Sequence, residues 1–501
     1  GDYDVDGVTG TTLLVRLLRH LGAQVHWHIP SRFDDGYSFG EHSLRKAAQV
    51  GAQVVVSVDN GTSSADIIAA LSGMGVDTIV TDHHEPPKGA LPQAVAIINP
   101  KLDGCPYPFR ELCGAAVAFK LAWGLCQRIT GSDRVRPDLR DFLVDAMGLV
   151  AIATVCDVVP LEKENRILAH YGLKALAAAR TPGFRALLQV TGLEGRVLTA
   201  EDVAFQIGPR INAAGRLDSA ARAVEVLLAE SQDEALRAAR LLDDLNLQRR
   251  ALERELTQEA MIQAEAYGHH PEFPVIVLGG AGWHQGLVGI VAARLVDRFH
   301  KPAIVFGFEG EEGRGSARSI PGFSVLDAMH GAREQFSRYG GHEQAAGGEV
   351  RFEDLETLRE SVNQRAREML ERDPLPIPTL EIDFDLPFEH MVEESMRAIE
   401  RLEPFGSGYE QPVLLSRDLR LAEAVRRVGP NGEHLMLRVR RGEVVHRAMF
   451  FGQGERADEL QMGLPLHLVY TPRRNTFRGQ TELQLLVREL HVGDAPPLQP
   501  A

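Results

Sequence analysis

Apolar residues recur at helical spacing from Thr9 to Leu21, where Leu13, Leu14, Leu17, Leu18 and Leu21 share a face and Gly22 stands at the C′ position. A helix is expected there. A second rhythm follows. Val54-Val55-Val56-Ser57-Val58 stops at Asp59-Asn60-Gly61, Val76 to Thr81 stops at Asp82-His83-His84, and Ala94 to Ile98 stops at Asn99-Pro100. Such β-branched runs form strands buried on both faces, and segments between them, such as Ser63 to Leu71, are long enough for crossover helices. The pattern predicts an α/β fold on a parallel sheet, with Asp59, Asp82, His83 and His84 at the carboxyl edge where ligands bind. Leu149 to Val155 is another apolar run, and it delivers Cys156-Asp157-Val158-Val159-Pro160.

Between these, Gly208-Pro209-Arg210-Ile211-Asn212-Ala213-Ala214-Gly215-Arg216 places two Arg beside small residues and reads as a phosphate clamp, or as a surface loop. From Ser219 to Gly268 the pattern is helical, interrupted at Ser231-Gln232-Asp233-Glu234, a capping box. The segment beyond it, about 36 residues and roughly 54 Å if unbroken, is a strut between domains or a coiled-coil dimer helix. After Pro271, strands at Val275 to Leu278 and Ala303 to Phe306 flank a helix from Leu287 to Phe299 and define a second α/β domain. Its segments Gly313-Arg314-Gly315-Ser316-Ala317-Arg318-Ser319 and Gly340 to Gly348 read as loops whose amides, hydroxyl and guanidinium suit a phosphate. Asp373 to Pro378 is a stiff Pro-rich linker. Short alternating strands then follow at His434 to Arg440, Val444 to Phe451, Leu466 to Thr471 and Leu483 to Val487, the signature of a small β-barrel.

At 501 residues the chain exceeds one core, and no run of eighteen apolar residues marks a membrane span. The four cysteines lack Cys-x-x-Cys spacing, which argues against structural zinc and fits a reducing compartment, the cytoplasm. A net charge of −15 speaks against a nucleic-acid partner. The barrel changes that picture. Arg426, Arg427, Arg438, Arg440 and Arg441 make it basic, and Arg473-Arg474-Asn475-Thr476-Phe477-Arg478 reads as a basic hairpin with an aromatic tip, suited to single strands.

The densest chemistry lies at the start, in Gly1-Asp2-Tyr3-Asp4-Val5-Asp6-Gly7. Three carboxylates in so short a span repel one another unless a cation or backbone N–H groups offset their charge. An isolated Asp-x-Asp is usually a solvated turn; here Asp59, Asp82, His83, His84 and Asp157 are expected at strand ends of the same sheet. Carboxylates with imidazole suit Mn²⁺ or Mg²⁺, and a shared carboxylate would hold two ions ~3.5–4 Å apart for phosphoester hydrolysis. Of the adjacent histidines, one is expected to bind metal and the other to face substrate, with Asp82 orienting the ligating ring. The chain opens inside this motif, without an initiator Met or signal peptide, which predicts a trimmed piece of a longer protein that keeps its site but loses stability or strand affinity.

Asp4-Val5-Asp6-Gly7 as a motif with Asp59-Asn-Gly, Asp82-His83-His84 and Asp157-Val-Val-Pro resembles the successive motifs of the DHH phosphoesterase superfamily; Gly341-His342 with Ala345-Ala346-Gly347-Gly348 resembles its DHHA1 domain. The resemblance covers nearly the whole chain. It implies a DHH domain (1–217), a connecting helix (218–269), a DHHA1 domain (270–372), an OB-like barrel (373–492) and a disordered tail (493–501). It further implies Asp4, Asp6, Asp59, His83 and Asp157 as ligands of two Mn²⁺ or Mg²⁺ ions, with Asp59 bridging, His84 beside the scissile phosphate and Asp82 as its partner. Arg210, Asn212 and Arg216 would face the active site, and Ser316, Arg318 and His342 would hold a 5′-terminal phosphate. Arg473, Arg474, Phe477 and Arg478 are the expected barrel contacts to DNA. The activity implied is that of a monomeric, single-strand-specific 5′→3′ DNA exonuclease in recombination and repair, with single-strand-binding protein and a RecQ-type helicase as partners. The rival readings are a small-substrate DHH hydrolase, acting on oligoribonucleotides or cyclic dinucleotides, and a non-catalytic scaffold of the same fold. One departure stands out: Tyr409 ends Pro404-Phe405-Gly406-Ser407-Gly408-Tyr409, where the related segment more often carries Asn.

Overall fold

The structure is a computed structural model that describes residues 1–31, 35, 39–375, 379–477 and 480–494. The chain divides into two units, one of Gly1–Asp157 with Tyr171–Ile377, the other of Val158–His170 with Pro378–Ala501. The boundary near residue 377 falls in the Pro-rich linker, of which 376–378 lie outside the described residues, as does the tail from 495. The other boundary was not expected: Val158–His170, read from sequence as part of the first domain, packs with the barrel.

In the first unit, β1 (Val54–Val58), β2 (Asp77–Thr81) and β3 (Ala96–Ile98) form a parallel sheet in that order. The opening helix, Val5–His20, is capped by Asp4, whose side chain accepts from the amides of Asp6 and Gly7, and Gly22 beyond it takes φ 86°. It packs on the helices Gly114–Thr130 and Pro137–Cys156. The last of these corrects the picture of Asp157 at a strand end. Leu149 to Val155 lies inside the twenty-residue helix, where seven consecutive positions, Gly148 to Thr154, are buried. A segment buried all round loses its helical stripe and reads like a strand. The Gly208–Arg216 segment is also no loop. One π-helical turn (Val203–Ile207) leads into the helix Gly208–Leu217, with Pro209 in its first turn, where a missing N–H costs nothing.

The long helix, Gln232–Gly268, is capped by Ser231, which accepts from the Glu234 amide, and runs 37 residues. It packs against the helices Pro182–Thr191 and Gly208–Leu217 at one end and against Val288–Phe299 at the other, so it ties both halves of this unit together. The second half is a five-stranded sheet: β4 (Ile276–Ala281), β5 (Ala303–Glu309), β6 (Glu312–Arg318), β7 (Phe336–Gly341) and β8 (Ala345–Arg351), in the order β4-β5-β6-β8-β7. The Gly-rich segments expected to be loops are thus paired strands, with Ser316 opposite Gly347 and Gly315 opposite Gly348. Glycine serves packing there: a Cβ on Gly315 would overlap the Phe306 ring.

The second unit holds β9 (Phe384–Asp385), β10 (Leu414–Leu421), β11 (Arg426–Val428), β12 (His434–Arg441), β13 (Val444–Phe450), β14 (Leu466–Phe477) and β15 (Gln480–Val492). Pairing of β12 with β10 closes β10-β12-β13-β15-β14 into a five-stranded ring around Leu437, Leu468, Tyr470 and Leu485, an OB-like barrel. All four cysteines are free thiols, and no described helix is long and apolar enough to cross a membrane.

Candidate metal centre

The acids and the histidine converge. His83 Nε2 stands 3.1 Å from Asp59 Oδ1 and 3.7 Å from both Asp6 Oδ2 and Asp157 Oδ2. Three groups of ligand atoms, each within 4.8 Å of one another, emerge at this centre: Asp6, His83 and Asp157; Asp2, Asp4 and Asp59; and Asp59, His83 and His84. Asp59 belongs to two of them and lies against His83, which links it to Asp6 and Asp157. Asp2 was not among the expected ligands. Its neighbours Asp4 and Asp6 offer the same chemistry, and spacing alone does not reveal which oxygens converge in space.

Local structure explains this placement. Asp59 caps β1 with φ 61°, a left-handed conformation that few non-glycine residues adopt. Asp6 accepts from the amides of Gly114 (2.5 Å) and Ala115 (2.7 Å), the N-terminus of the helix Gly114–Thr130, whose dipole favours a carboxylate. Gly114 also has to be glycine, because a Cβ there would meet Asp59 Cβ at 2.6 Å. The helix Gly208–Leu217 lies close across the same region: a Cβ on Gly208 would overlap Cys156 Sγ, and one on Gly215 would stand 2.7 Å from the Tyr3 carbonyl oxygen.

Electrostatics show what is needed to complete the site. Burial, reinforced by Asp4, pushes Asp2 and Asp6 up to about 7. Burial with Asp6 and Asp4 pushes Asp157 up to about 9 and holds Asp59 well above the carboxylate range. Burial and neighbouring His84 lower His83 to about 4, so its ring is neutral at pH 7. Asp2 Oδ1 and Asp59 Oδ1 are buried without a hydrogen-bond partner among the described residues, although His83 Nε2 faces the latter at 3.1 Å. Unpaired buried carboxylate oxygens facing a neutral imidazole fit divalent cations, and this oxygen-rich set with one nitrogen suits Mn²⁺ or Mg²⁺.

Asp82 differs from the other acids. Burial works against its ionisation, but hydrogen bonds from the His84 ring (2.8 Å) and the amides of Thr62 (2.9 Å) and His83 (2.8 Å) hold it well below the usual range. Burial opposes protonation of His84 too, yet Asp82 outweighs it and raises the imidazole. The side chain of Asp82 therefore orients His84, and His83 is left to the acid cluster. Asn99, which sequence reading left without a role, donates to the His84 carbonyl (2.9 Å) and Thr62 Oγ1 (3.1 Å) and fixes the loop.

The phosphate candidates behave differently from one another. Ser316 and Arg318 meet at 3.0 Å and face Gly289 in the first turn of the helix Val288–Phe299; a Cβ there would lie 2.9 Å from Ser316 Oγ and 3.2 Å from Arg318 Nη2. A guanidinium, a hydroxyl and a helix N-terminus are groups that suit an anion. His342 is exposed in the turn between β7 and β8, beside the end of β6 where Arg318 pairs with Ala345. Arg210 is held by Asp243 of the long helix (2.8 Å) and by the Gln206 carbonyl (2.6 Å). Arg216 donates to the Gly286 carbonyl (2.9 Å), and half-buried Asn212 lies on the same helix. In the barrel, Arg473 bonds Gln484 Oε1 and lies over the Phe451 ring, while Arg474 is paired with Glu393 and Glu400. Arg426 and Arg438 face Glu423, Arg427 faces Asp458 and Arg441 faces Glu389, so acids offset much of the basic charge expected there. Phe477 ends β14, and Arg478 lies outside the described residues.

A parallel sheet presenting Asp, His and His beyond its strands, with further acids brought in by helix termini, is the architecture of a DHH phosphoesterase. Family models agree along the chain: the DHH family N-terminal domain matches residues 1–154, the DHHA1 domain 272–368 and the RecJ OB domain 382–489. The single-stranded-DNA-specific exonuclease RecJ of Haemophilus influenzae is 35% identical over 499 residues, covering 97% of this chain and 86% of that protein. Its counterpart in Bacillus subtilis is 36% identical over 496 residues, 99% of this chain, which spans 61% of that longer protein. The crystal structure of RecJ in complex with Mn²⁺ from Thermus thermophilus superposes with a TM-score of 0.82 at 30% identity, over 99% of this chain and 68% of that one. The chain belongs to the RecJ family.

Proposed function

We propose that this chain is a single-strand-specific 5′→3′ DNA exonuclease that releases 5′-mononucleotides by two-metal phosphodiester hydrolysis, in recombination and repair. The observation that carries the reading is the convergence of buried, uncompensated carboxylates on a neutral His83. Asp4, Asp6, Asp59, His83 and Asp157 would hold two Mn²⁺ or Mg²⁺ ions, the metals with which the Thermus thermophilus RecJ structures are in complex, with Asp2 adding an oxygen beside Asp4 and Asp59. Bound there, such ions lower the pKa of a water and offset charge at phosphorus.

The chain's own residues do the rest. Asp82 aims the His84 ring and, against burial, favours its protonated form, so that this imidazole would donate to an oxygen of the scissile phosphate. Ser316, Arg318 and the N-terminus of the helix Val288–Phe299 anchor the 5′-terminal phosphate, with His342 at the rim. Arg210, Asn212 and Arg216 lie along the helix that crosses the acid centre and line the cleft for the strand. The barrel grips nucleotides farther along through Arg473, Arg474, Phe477 and Arg478. A duplex is too wide for this path, which gives strand specificity by shape. The division proposed is DHH 1–217, connecting helix 218–269, DHHA1 270–372 and barrel 373–492, with the protein acting as a monomer in the cytoplasm on strands exposed by a RecQ-type helicase and coated by single-strand-binding protein.

The test uses a single-stranded oligomer labelled at one end, with Mn²⁺ or chelator. Wild type should release 5′-mononucleotides from the 5′ end only with metal, and Asp59→Ala should release none. Cleavage confined to dinucleotides, or none at all, would overturn the reading.

A further inference from the structure

The three strands of the parallel sheet end side by side, with Val58 opposite Thr81 and Thr81 opposite Ile98. One side chain ties the loops beyond all three. Asn99 follows β3, His84 comes after β2 and Thr62 after β1. The Asn99 amide nitrogen donates to the His84 carbonyl (2.9 Å) and to Thr62 Oγ1 (3.1 Å), while its Oδ1 accepts from the Lys101 amide (2.9 Å). The Lys101 N–H can only donate, so it fixes which end of the Asn99 amide is oxygen and leaves both N–H bonds for the other two contacts. Asn99 and Thr62 are buried, so these bonds are made away from water.

The same edge carries the Asp82–His84 pair. The Thr62 amide donates to Asp82 Oδ2 (2.9 Å), and Asp82 Oδ1 accepts from the His84 ring at Nδ1 (2.8 Å) and from the His84 amide (3.2 Å). His84 is therefore held at its ring and its N–H by Asp82, and at its carbonyl by Asn99. Its side chain is 41% exposed, so packing alone does not fix it. Asp82 sets the direction of the ring; Asn99 sets the peptide plane from which the ring projects. No near relative of asparagine repeats this set of bonds. Asp has the shape and no N–H, Ser has one donor, and Gln carries its amide one methylene farther out.

We infer that Asn99 is a positioning residue for His84, fixing from the neighbouring strand end how far that imidazole reaches toward the scissile phosphate. The inference rests on the role proposed for His84 above. The hydrogen bonds of the Asn99 side chain go to His84, Thr62 and Lys101 and to no acid of the centre, so turnover and metal binding should part company when it is lost.

The experiment uses the full chain and a 5′-phosphorylated single-stranded oligomer at saturating Mn²⁺, under single-turnover conditions that still read slow variants. Mn²⁺ affinity is measured without DNA from the loss of the free-ion EPR signal. Asn99→Ala should slow cleavage about ten- to a hundredfold, the scale of a reacting group misplaced by about 1 Å, with Mn²⁺ affinity and the half-saturating oligomer concentration within about twofold of wild type. Asn99→Asp, close in volume but without donors, should lose at least as much. Thr62→Ser, which keeps the acceptor, should cleave like wild type, and Thr62→Val should lose part of the rate. The deciding comparison is made in the His84→Ala background, where Asn99→Ala should cost no further rate because the group it positions is already gone. A further loss there would overturn the inference. So would a fall in Mn²⁺ affinity equal to the fall in rate, which would mark Asn99 as a support of the whole loop. If Asn99→Ala does not fold, Asn99→Asp carries the same comparison. Absence of metal-dependent cleavage by the wild type would sink the exonuclease reading, and this inference with it.

Discussion

Without a cation nearby, burial and the neighbouring Asp6 bias Asp59 toward the neutral acid, and burial biases Asp2, Asp6 and Asp157 the same way. Their folded-state pKa values lie above the unfolded ones, so the metal-free fold binds more protons than the unfolded chain and loses stability as pH rises from about 4 toward the range of 7 to 9. Mn²⁺ should relieve this. The melting-temperature gap between Mn²⁺-loaded and chelated protein is expected to widen from pH 5 to pH 8; a constant gap would show the acids to be paired in some other way. Asp59→Asn, which removes an acid that burial opposes ionising, should raise the melting temperature of chelated protein at pH 8 while abolishing the Mn²⁺-induced shift. At this scale the sequence was informative wherever acids were dense or followed an abrupt strand end, as at Asp4, Asp6, Asp59 and His83. Asp2 and Asn99 stayed hidden because their importance lies in what they face across the fold.

The decisive contacts of the centre come from element termini. The helix Gly114–Thr130 begins against both Asp6 and Asp59, so Gly114→Ala should displace Asp59 by forcing two Cβ atoms apart from 2.6 Å. Misplacement by about 1 Å can cost roughly a hundredfold in turnover. A normal melting curve with that loss is the expected outcome, and unchanged turnover would mean the helix can shift freely. The helix Val288–Phe299 makes the other contact. Arg318→Ala should remove one charge-assisted hydrogen bond of about 1.5–3 kcal/mol, raising KM about ten- to a hundredfold for 5′-phosphorylated oligomers and leaving 5′-hydroxyl oligomers unaffected. Equal loss on both substrates would place the terminal phosphate elsewhere. Elements were legible where one face is buried, as in Val5–His20 and β1. They were misread where burial is complete, as at Leu149 to Val155, or where glycine makes room for an aromatic ring, as in β6 and β8.

Across the whole molecule, the Pro-rich break at 373–378 announced one unit boundary, and composition could not announce the other, because the segment 158–170 joins the barrel by long-range contacts alone. Deleting the barrel at the linker should therefore leave that segment without Ser407, Pro404 and Tyr409 together. We expect such a truncation to melt lower than the full chain, as read by calorimetry. The first unit contains its own ruler. The helix Gln232–Gly268, about 56 Å of unbroken backbone, fastens the half that carries the acids to the half that carries Ser316 and Arg318. On the exonuclease reading proposed above, an acid centre and a phosphate anchor held at one separation would set the size of each released fragment by that separation, whatever bases the strand contains.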